Sequence, residues 1–327
     1  MAGLAAVAGA VSPAAAATAR PSHSRPAFVH VRDIRVPCNP GSAAVDQHKR
    51  AVWVNCIARI SERTQRVVAR IHKGAGGIVA VDPHLGVVWE ADSGGTMIEV
   101  SEATNKVIHR FTGLGPIVGV AVDPRTRTVW VSDNPFVREY SEVKFRLLHT
   151  IRLHVNRLEQ PWDIRVDPTA GMVWAAVIPG GPQQTRTWVA QISESAHKVV
   201  HTYPYSNGTA ITAPDPKRGI VWMAIGNGTG PGTIEVIKES THHIVRTFTL
   251  PVSAQGMTID SRAGTVLASG TNNRFLVVSE KTGKIIKTIR MGFFPAHPAV
   301  DQATGNVYVP IVFRGIVSQF HLRTRGS

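Results

Sequence analysis

Asp163 and His297 are the residues of this chain whose types and spacing point most directly to chemistry. Each stands four residues before an aspartate, Asp167 and Asp301, of one recurring pattern; Ser42, Ile78, Gly119, Ile211 and Gly256 take the same place elsewhere. One carboxylate and one imidazole in an otherwise mostly apolar ring can serve as a general acid/base pair or anchor a polar ligand. A pair of solvated residues at a channel mouth is the simpler reading. No second carboxylate accompanies them, so a metal would lack hard oxygen ligands there. The sequence also has no His-Glu-x-x-His, no Gly-x-Ser-x-Gly, no cysteine pair at zinc spacing and no dinucleotide fingerprint, so no metal ligand or cofactor is predicted.

The pattern that positions these residues recurs seven times, with aspartates at Asp46, Asp82, Asp123, Asp167, Asp215, Asp260 and Asp301. Six residues after each is a Val, and one further on a large apolar residue: Trp53, Trp89, Trp130, Trp174, Trp222, Leu267 or Tyr308. Such self-similarity marks a repeat architecture. An apolar run precedes each Asp, and Gly follows four residues later at Gly86, Gly171, Gly219, Gly264 and Gly305. Asp-x-x-x-Gly between β-rich runs is a hairpin in which the carboxylate caps backbone N–H groups and Gly takes the left-handed position. Arg50 and Arg127 replace that Gly, which predicts strained or differently shaped turns. The aromatic residue of the second strand is expected to pack between neighbouring units.

A third strand ends in Ser-Glu-x-Thr or a near copy, as in Ser61-Glu62-Arg63-Thr64 and Ser101-Glu102-Ala103-Thr104, read as turn residues. The fourth alternates polar and apolar positions, as in Lys106–Phe111, and so belongs on a wet outer edge. Its last apolar residue falls 11 or 12 residues before the next Asp in most repeats, and Ile34 stands 12 before Asp46 although no repeat precedes it. After Asp301 only three strands remain. The N-terminal segment therefore supplies the outer strand of the last unit, and the fold is an all-β, seven-bladed β-propeller of four-stranded blades closed without free edges.

The repeat resembles the YVTN-type β-propeller family of bacterial exported proteins, in which an AVDP…G.VYV hairpin precedes a V.VID..T.KVV.TI hairpin, over roughly residues 28 to 318. Trp stands here where that family often has Tyr, and Ser-Glu replaces much of the Ile-Asp. The resemblance implies fold and export; it does not imply chemistry. Some propellers of similar topology, the virginiamycin B lyases and sugar-lactone hydrolases, gather carboxylates, Asn or His and a divalent metal at the channel mouth, which is the enzymatic alternative.

Inter-blade connections and second-to-third-strand loops share one face of such a ring, the default binding site. Its candidate ligand-binding residues are Trp162, Asp163, Gln255, Phe294, His297, Asp133, Asn134, Asn273, Arg274 and Arg314. Net charge is +14, which favours acidic partners. The primary expectation is a non-catalytic, monomeric binding scaffold for a protein or anionic polymer. Single-stranded nucleic acid is disfavoured because aromatic residues, 6% of the chain, fall mostly at core positions.

Residues 1–25 are Ala-rich and contain Ala17-Thr18-Ala19, which suits a signal peptide, leaving residues 26–327 as one secreted, periplasmic or cell-envelope domain with no transmembrane segment. Cys38 and Cys56, the only cysteines, flank the first repeat on one rim and are placed to form a disulfide.

Overall fold

The computed structural model describes residues 27–71, 77–115, 117–153, 159–179, 186–206, 208–228 and 230–323; the leader, residues 1–25, lies outside them. Seven four-stranded antiparallel sheets form a propeller. Each blade starts at the channel and ends outside, so blade 3 runs Ile117–Asp123, Thr128–Asp133, Phe136–Ser141 and Arg146–Arg152. In blade 7, Ala299–Val300, Asn306–Ile311 and Ile316–Arg323 are completed by the N-terminal strand Ala27–Arg35, which pairs with Ile316–Arg323. The ring thus closes through the predicted strand.

The aspartates cap the inner hairpins as expected. Asp82 Oδ1 accepts the backbone N–H groups of His84 and Leu85 at 2.7 and 3.1 Å, and Asp167 Oδ1 those of Thr169 and Ala170 at 2.8 and 3.0 Å. Where arginine replaces the turn glycine, the backbone still adopts the left-handed conformation, at φ 50° for Arg50 and 56° for Arg127.

The second-strand aromatics fill the seams between blades. Trp53, fully buried, packs on Val79, Val88, Ile98 and Val100 of the next blade, and Trp89 on Val120, Val129 and Val131. Their ring N–H groups explain the Ser-Glu sequences, whose glutamates are latches as well as turn residues. Trp53 Nε1 donates to Glu102 at 2.6 Å, Trp89 to Glu142 at 2.7 Å and Trp174 to Glu239 at 2.8 Å, while Tyr308 Oη donates to Glu62 at 2.9 Å. Each glutamate comes from the following blade and also approaches the Asp of the blade it closes on: Glu102 meets Asp46, Glu142 meets Asp82 and Glu239 meets Asp167. At the seam between blades 6 and 7 no such turn exists, because the last two strands of blade 7 come from opposite ends of the chain. There the sequence has Leu267, which has no proton to place.

Trp130 and Trp222 are the exceptions: Trp130 Nε1 donates to Thr128 Oγ1 of its own strand at 3.1 Å while Arg125 holds Glu194. Arg218 Nη1 holds Glu280 at 2.6 Å, and the Trp222 ring N–H has no hydrogen-bond partner among the described residues. Trp174→Phe should therefore destabilise the protein by about 1–3 kcal/mol more than Trp222→Phe, since both lose similar volume but only the former breaks a buried hydrogen bond. Denaturant midpoints of the two variants measure the difference; equal losses would exclude a stabilising latch.

Candidate functional site

Bulges place the residues of the channel mouth. The pairing of the inner strand of blade 4, Glu159–Asp167, shifts between Pro161 and Asp163, which leaves Trp162 37% exposed while Asp163 turns inward. A similar shift between Ala254 and Gly256 in blade 6 brings the backbone against blade 7: a Cβ on Gly256 would lie 2.7 Å from His297 Cα. Only glycine permits that approach, which fixes the height of His297.

Asp163 and His297 are brought together, but through a residue the sequence pattern did not single out. Asp163 Oδ2 accepts Thr212 N–H at 2.9 Å and Thr212 Oγ1–H at 3.0 Å, and its Oδ1 lies 3.0 Å from Arg165 Nη2. Arg165 Nη2 is also 3.2 Å from His297 Nδ1, so one guanidinium reaches across the channel from blade 4 to blade 7. Burial, with the Arg165 charge, pushes the His297 pKa down to about 4. The imidazole is neutral near pH 7 and accepts at Nδ1.

This geometry revises the acid/base pair. Asp163 is buried and commits both oxygens to Thr212 and Arg165, and His297 accepts a proton only in acid. Neither is a free, solvated mouth residue. Nor does the donor set fit a hard divalent cation at the mouth, because no other carboxylate lines the channel among the described residues. The channel encloses about 900 Å³, with a wall of Val, Ala and Ile in which Arg165, Lys217 and Arg262 are the cationic residues. Both Arg165 contacts fall on Nη2, and no acceptor meets Nε or Nη1 among the described residues.

The remaining predicted positions divide. Asp133 is a correction: it is buried, with Oδ2 2.9 Å from Arg138 Nε, and is withdrawn from any ligand. Asn134 and Asn273 are half-buried at the loop face, Asn273 serving as a turn residue at φ 58°, and Gln255 is half-buried at the blade 6 bulge. Arg274 and Arg314 are exposed. Phe294 is exposed too, and the residue before it belongs to a cluster that the sequence alone did not reveal. Phe293 and Phe313 meet edge to face at 6.1 Å, Arg314 lies 5.4 Å over Phe293, and Phe313 is 69% exposed. Of the second-to-third-strand loop 179–184, which belongs to this face, residues 180–184 lie outside the described residues.

No family model matches the sequence, and no curated protein matches it. Among solved structures, the fold is similar to Kuenenia stuttgartiensis hydrazine synthase, with a TM-score of 0.75 at 12% identity over 89% of this chain and 97% of that one. It is also similar to the β-propeller domain of Myceliophteria thermophila Cps50 (Swd1), with a TM-score of 0.73 at 8% identity over 91% of this chain and 100% of the other. At such identities the likeness extends to the fold alone.

Away from the channel, the outer rim carries a cluster with metal-ligating chemistry: Glu139, His149 and His197, whose ligand atoms lie within 4.8 Å of one another. The residues are scattered over two repeats, so no local spacing betrays them.

Proposed function

We propose that this chain is an exported, non-catalytic β-propeller of the YVTN type that receives an acidic group of a protein or anionic polymer at the loop-rich mouth of its channel. The observation that carries this reading is Arg165, held through Nη2 by Asp163 and His297 and lining an otherwise largely apolar channel. A pre-positioned guanidinium is suited to a carboxylate or phosphate, because its fork need not be ordered on binding. The exposed Phe293, Phe313 and Arg314 supply the aromatic and arginine contacts typical of binding hot spots on the same face. Export is supported by the Ala-rich leader and by the disulfide between Cys38 and Cys56, and no helix among the described residues is long and apolar enough to cross a membrane.

The test is binding of polygalacturonate, an acidic peptide and poly-dT against neutral dextran, measured by calorimetry with the wild type and Arg165→Gln. Gln retains a hydrogen bond for Asp163 and so protects the fold. An acidic ligand should bind about 10- to 100-fold more weakly to the variant, the loss expected for a charged hydrogen bond of about 1.5–3 kcal/mol. Equal affinity of wild type and variant would remove the channel from the binding site.

A further inference from the structure

The outer rim between blades 3 and 4 holds three side chains whose arrangement neither turn geometry nor core packing requires. Glu139 lies on the third strand of blade 3, directly paired with His149 on the outer strand. His197 comes from the turn between the third and fourth strands of blade 4, at φ 48°, and folds back onto blade 3. The His149 and His197 rings stack with centroids 3.5 Å apart and planes 13° from parallel. Glu139 Oε2 lies 3.0 Å from His197 Nδ1, yet neither atom has a hydrogen bond, and both are shut off from water. The Glu139 side chain is only 7% exposed. A buried carboxylate oxygen aimed at an imidazole nitrogen, with no aligned proton between them, is a pair of lone pairs awaiting a common acceptor.

The repeat supplies its own controls. The same three positions at the seam of blades 2 and 3 hold Glu99, His109 and Phe145. Glu99 there lies 2.7 Å from His109 Nδ1, and Phe145 stacks on the imidazole at 3.5 Å. At the seam of blades 4 and 5 they hold Gln191, His201 and His242, and Gln191 Oε1 and His242 Nδ1 lie 2.8 Å apart, an ordinary hydrogen bond. One seam lacks the second imidazole and the other lacks the carboxylate. At the seam of blades 1 and 2 the places belong to Arg59, Ala69 and Asn105, and at that of blades 5 and 6 to Val236, Arg246 and Gly283. Among these five seams, that of blades 3 and 4 alone combines two imidazoles with a carboxylate.

We propose that Glu139, His149 and His197 bind one zinc-class divalent cation, which staples blade 3 to blade 4 and keeps a coordination position open at the rim. Two imidazoles and one carboxylate suit zinc, cobalt, nickel or copper rather than calcium or magnesium, which require more oxygen ligands. Ligand atoms around zinc at about 2.0–2.2 Å stand roughly 3.3 Å apart in a tetrahedron, so the three donors need only rotamer-scale closure. His149 is exposed, so the fourth position faces solvent and takes water or a donor from a partner. The site is distinct from the channel and independent of any ligand bound there.

The test is calorimetric titration of the chelator-stripped protein with zinc chloride, alongside the visible spectrum of the cobalt-loaded form. One stoichiometric event and the intense bands of low-symmetry cobalt are expected. His197→Phe, which copies the arrangement that blade 3 already presents to blade 2, should fold normally and lose at least tenfold in affinity. Glu139→Gln should do the same, whereas His201→Ala, on the neighbouring seam, should bind as the wild type does. Affinity should fall as the pH drops below the ordinary histidine range near 6.5, where protons compete for the imidazoles. Absence of a stoichiometric zinc event overturns the site, and so does an event unchanged in both His197→Phe and Glu139→Gln.

Discussion

Raising the pH from about 6 to about 9 should lower the melting temperature by about 6 °C, the shift that a loss on the order of 4 kcal/mol produces in a domain of this size. The cause is the ring of glutamates at the blade seams. Burial, aggravated by the neighbouring aspartates, pushes Glu142 up to about 9 and Glu239 up to about 8. Glu194, also raised by burial and Asp123, reaches about 8, while Glu62, beside Asp301, and Glu280 reach about 7. An unfolded chain gives up these protons near 4.5, so from there to about 9 the folded state holds more protons than the unfolded one. The contribution of each raised carboxyl is complete below about 4.5 and is lost as the pH passes through its folded value. Cations relieve some of the pairs: Arg125 lies 2.9 Å from Glu194 and Arg218 lies 2.6 Å from Glu280. Glu142 has acidic electrostatic neighbours, Asp82 and Glu99, and therefore holds its proton longest. Glu142→Gln imitates the protonated acid, because its amide can both accept from Trp89 and donate to Asp82. The variant should be more stable than the wild type at pH 9 and no more stable at pH 5. Melting curves across this range decide the matter: a midpoint that stays level or rises from pH 6 to 9 would show that the seam carboxyls ionise freely.

The same glutamates show where sequence reading stops. The aspartate turns, the second-strand aromatics and the outer strands were legible because each rests on a local rule: a cap, a packing position or alternation along a strand. The closing strand was legible because Ile34 keeps the interval to Asp46 that the other repeats keep, and Cys38 and Cys56 flank a single repeat. A Ser-Glu turn looks the same whether its carboxyl points to water or into a seam, and the difference is set by a Trp donor some 50 residues earlier, as in Trp53 and Glu102. Arg165 was hidden for a related reason. It stands two residues from Asp163, but its bond to His297 spans 132 positions. Asp133 read as an open loop residue, and Arg138 on the returning strand turns it inward. His242 bonds Gln191 and stacks on His201 at 5.2 Å, contacts that no local spacing announces. In each case the sequence gives the position along a blade, and the neighbouring blade gives the partner.

Removing the disulfide should have the second large effect, because it lies at the point where the ring closes. Cys38 follows the N-terminal strand that completes blade 7, and Cys56 lies in the loop between the second and third strands of blade 1, with Cα atoms 6.3 Å apart. The bond therefore ties the exit of the closing strand to the first blade. It also helps to hold an unfavourable turn: Cys56 and the β-branched Ile57 lie at φ 71° and 46°, where Glu90 Oε1 accepts the Cys56 N–H at 3.0 Å. A cross-link closing a loop of this length contributes about 3 kcal/mol by restricting the unfolded chain. The Cys38→Ser/Cys56→Ser variant should accordingly melt about 5 °C lower than the oxidised wild type. Reduction of the wild type should reproduce the loss. Hydrogen exchange then locates it: amides of the N-terminal strand Ala27–Arg35 and its partner Ile316–Arg323 should lose protection before those of blades 3 to 5, because backbone pairing and side-chain contacts alone then hold the closing strand. If protection falls evenly around the ring, the disulfide restrains the unfolded chain without guarding the seam, and if the midpoint does not move, it does neither.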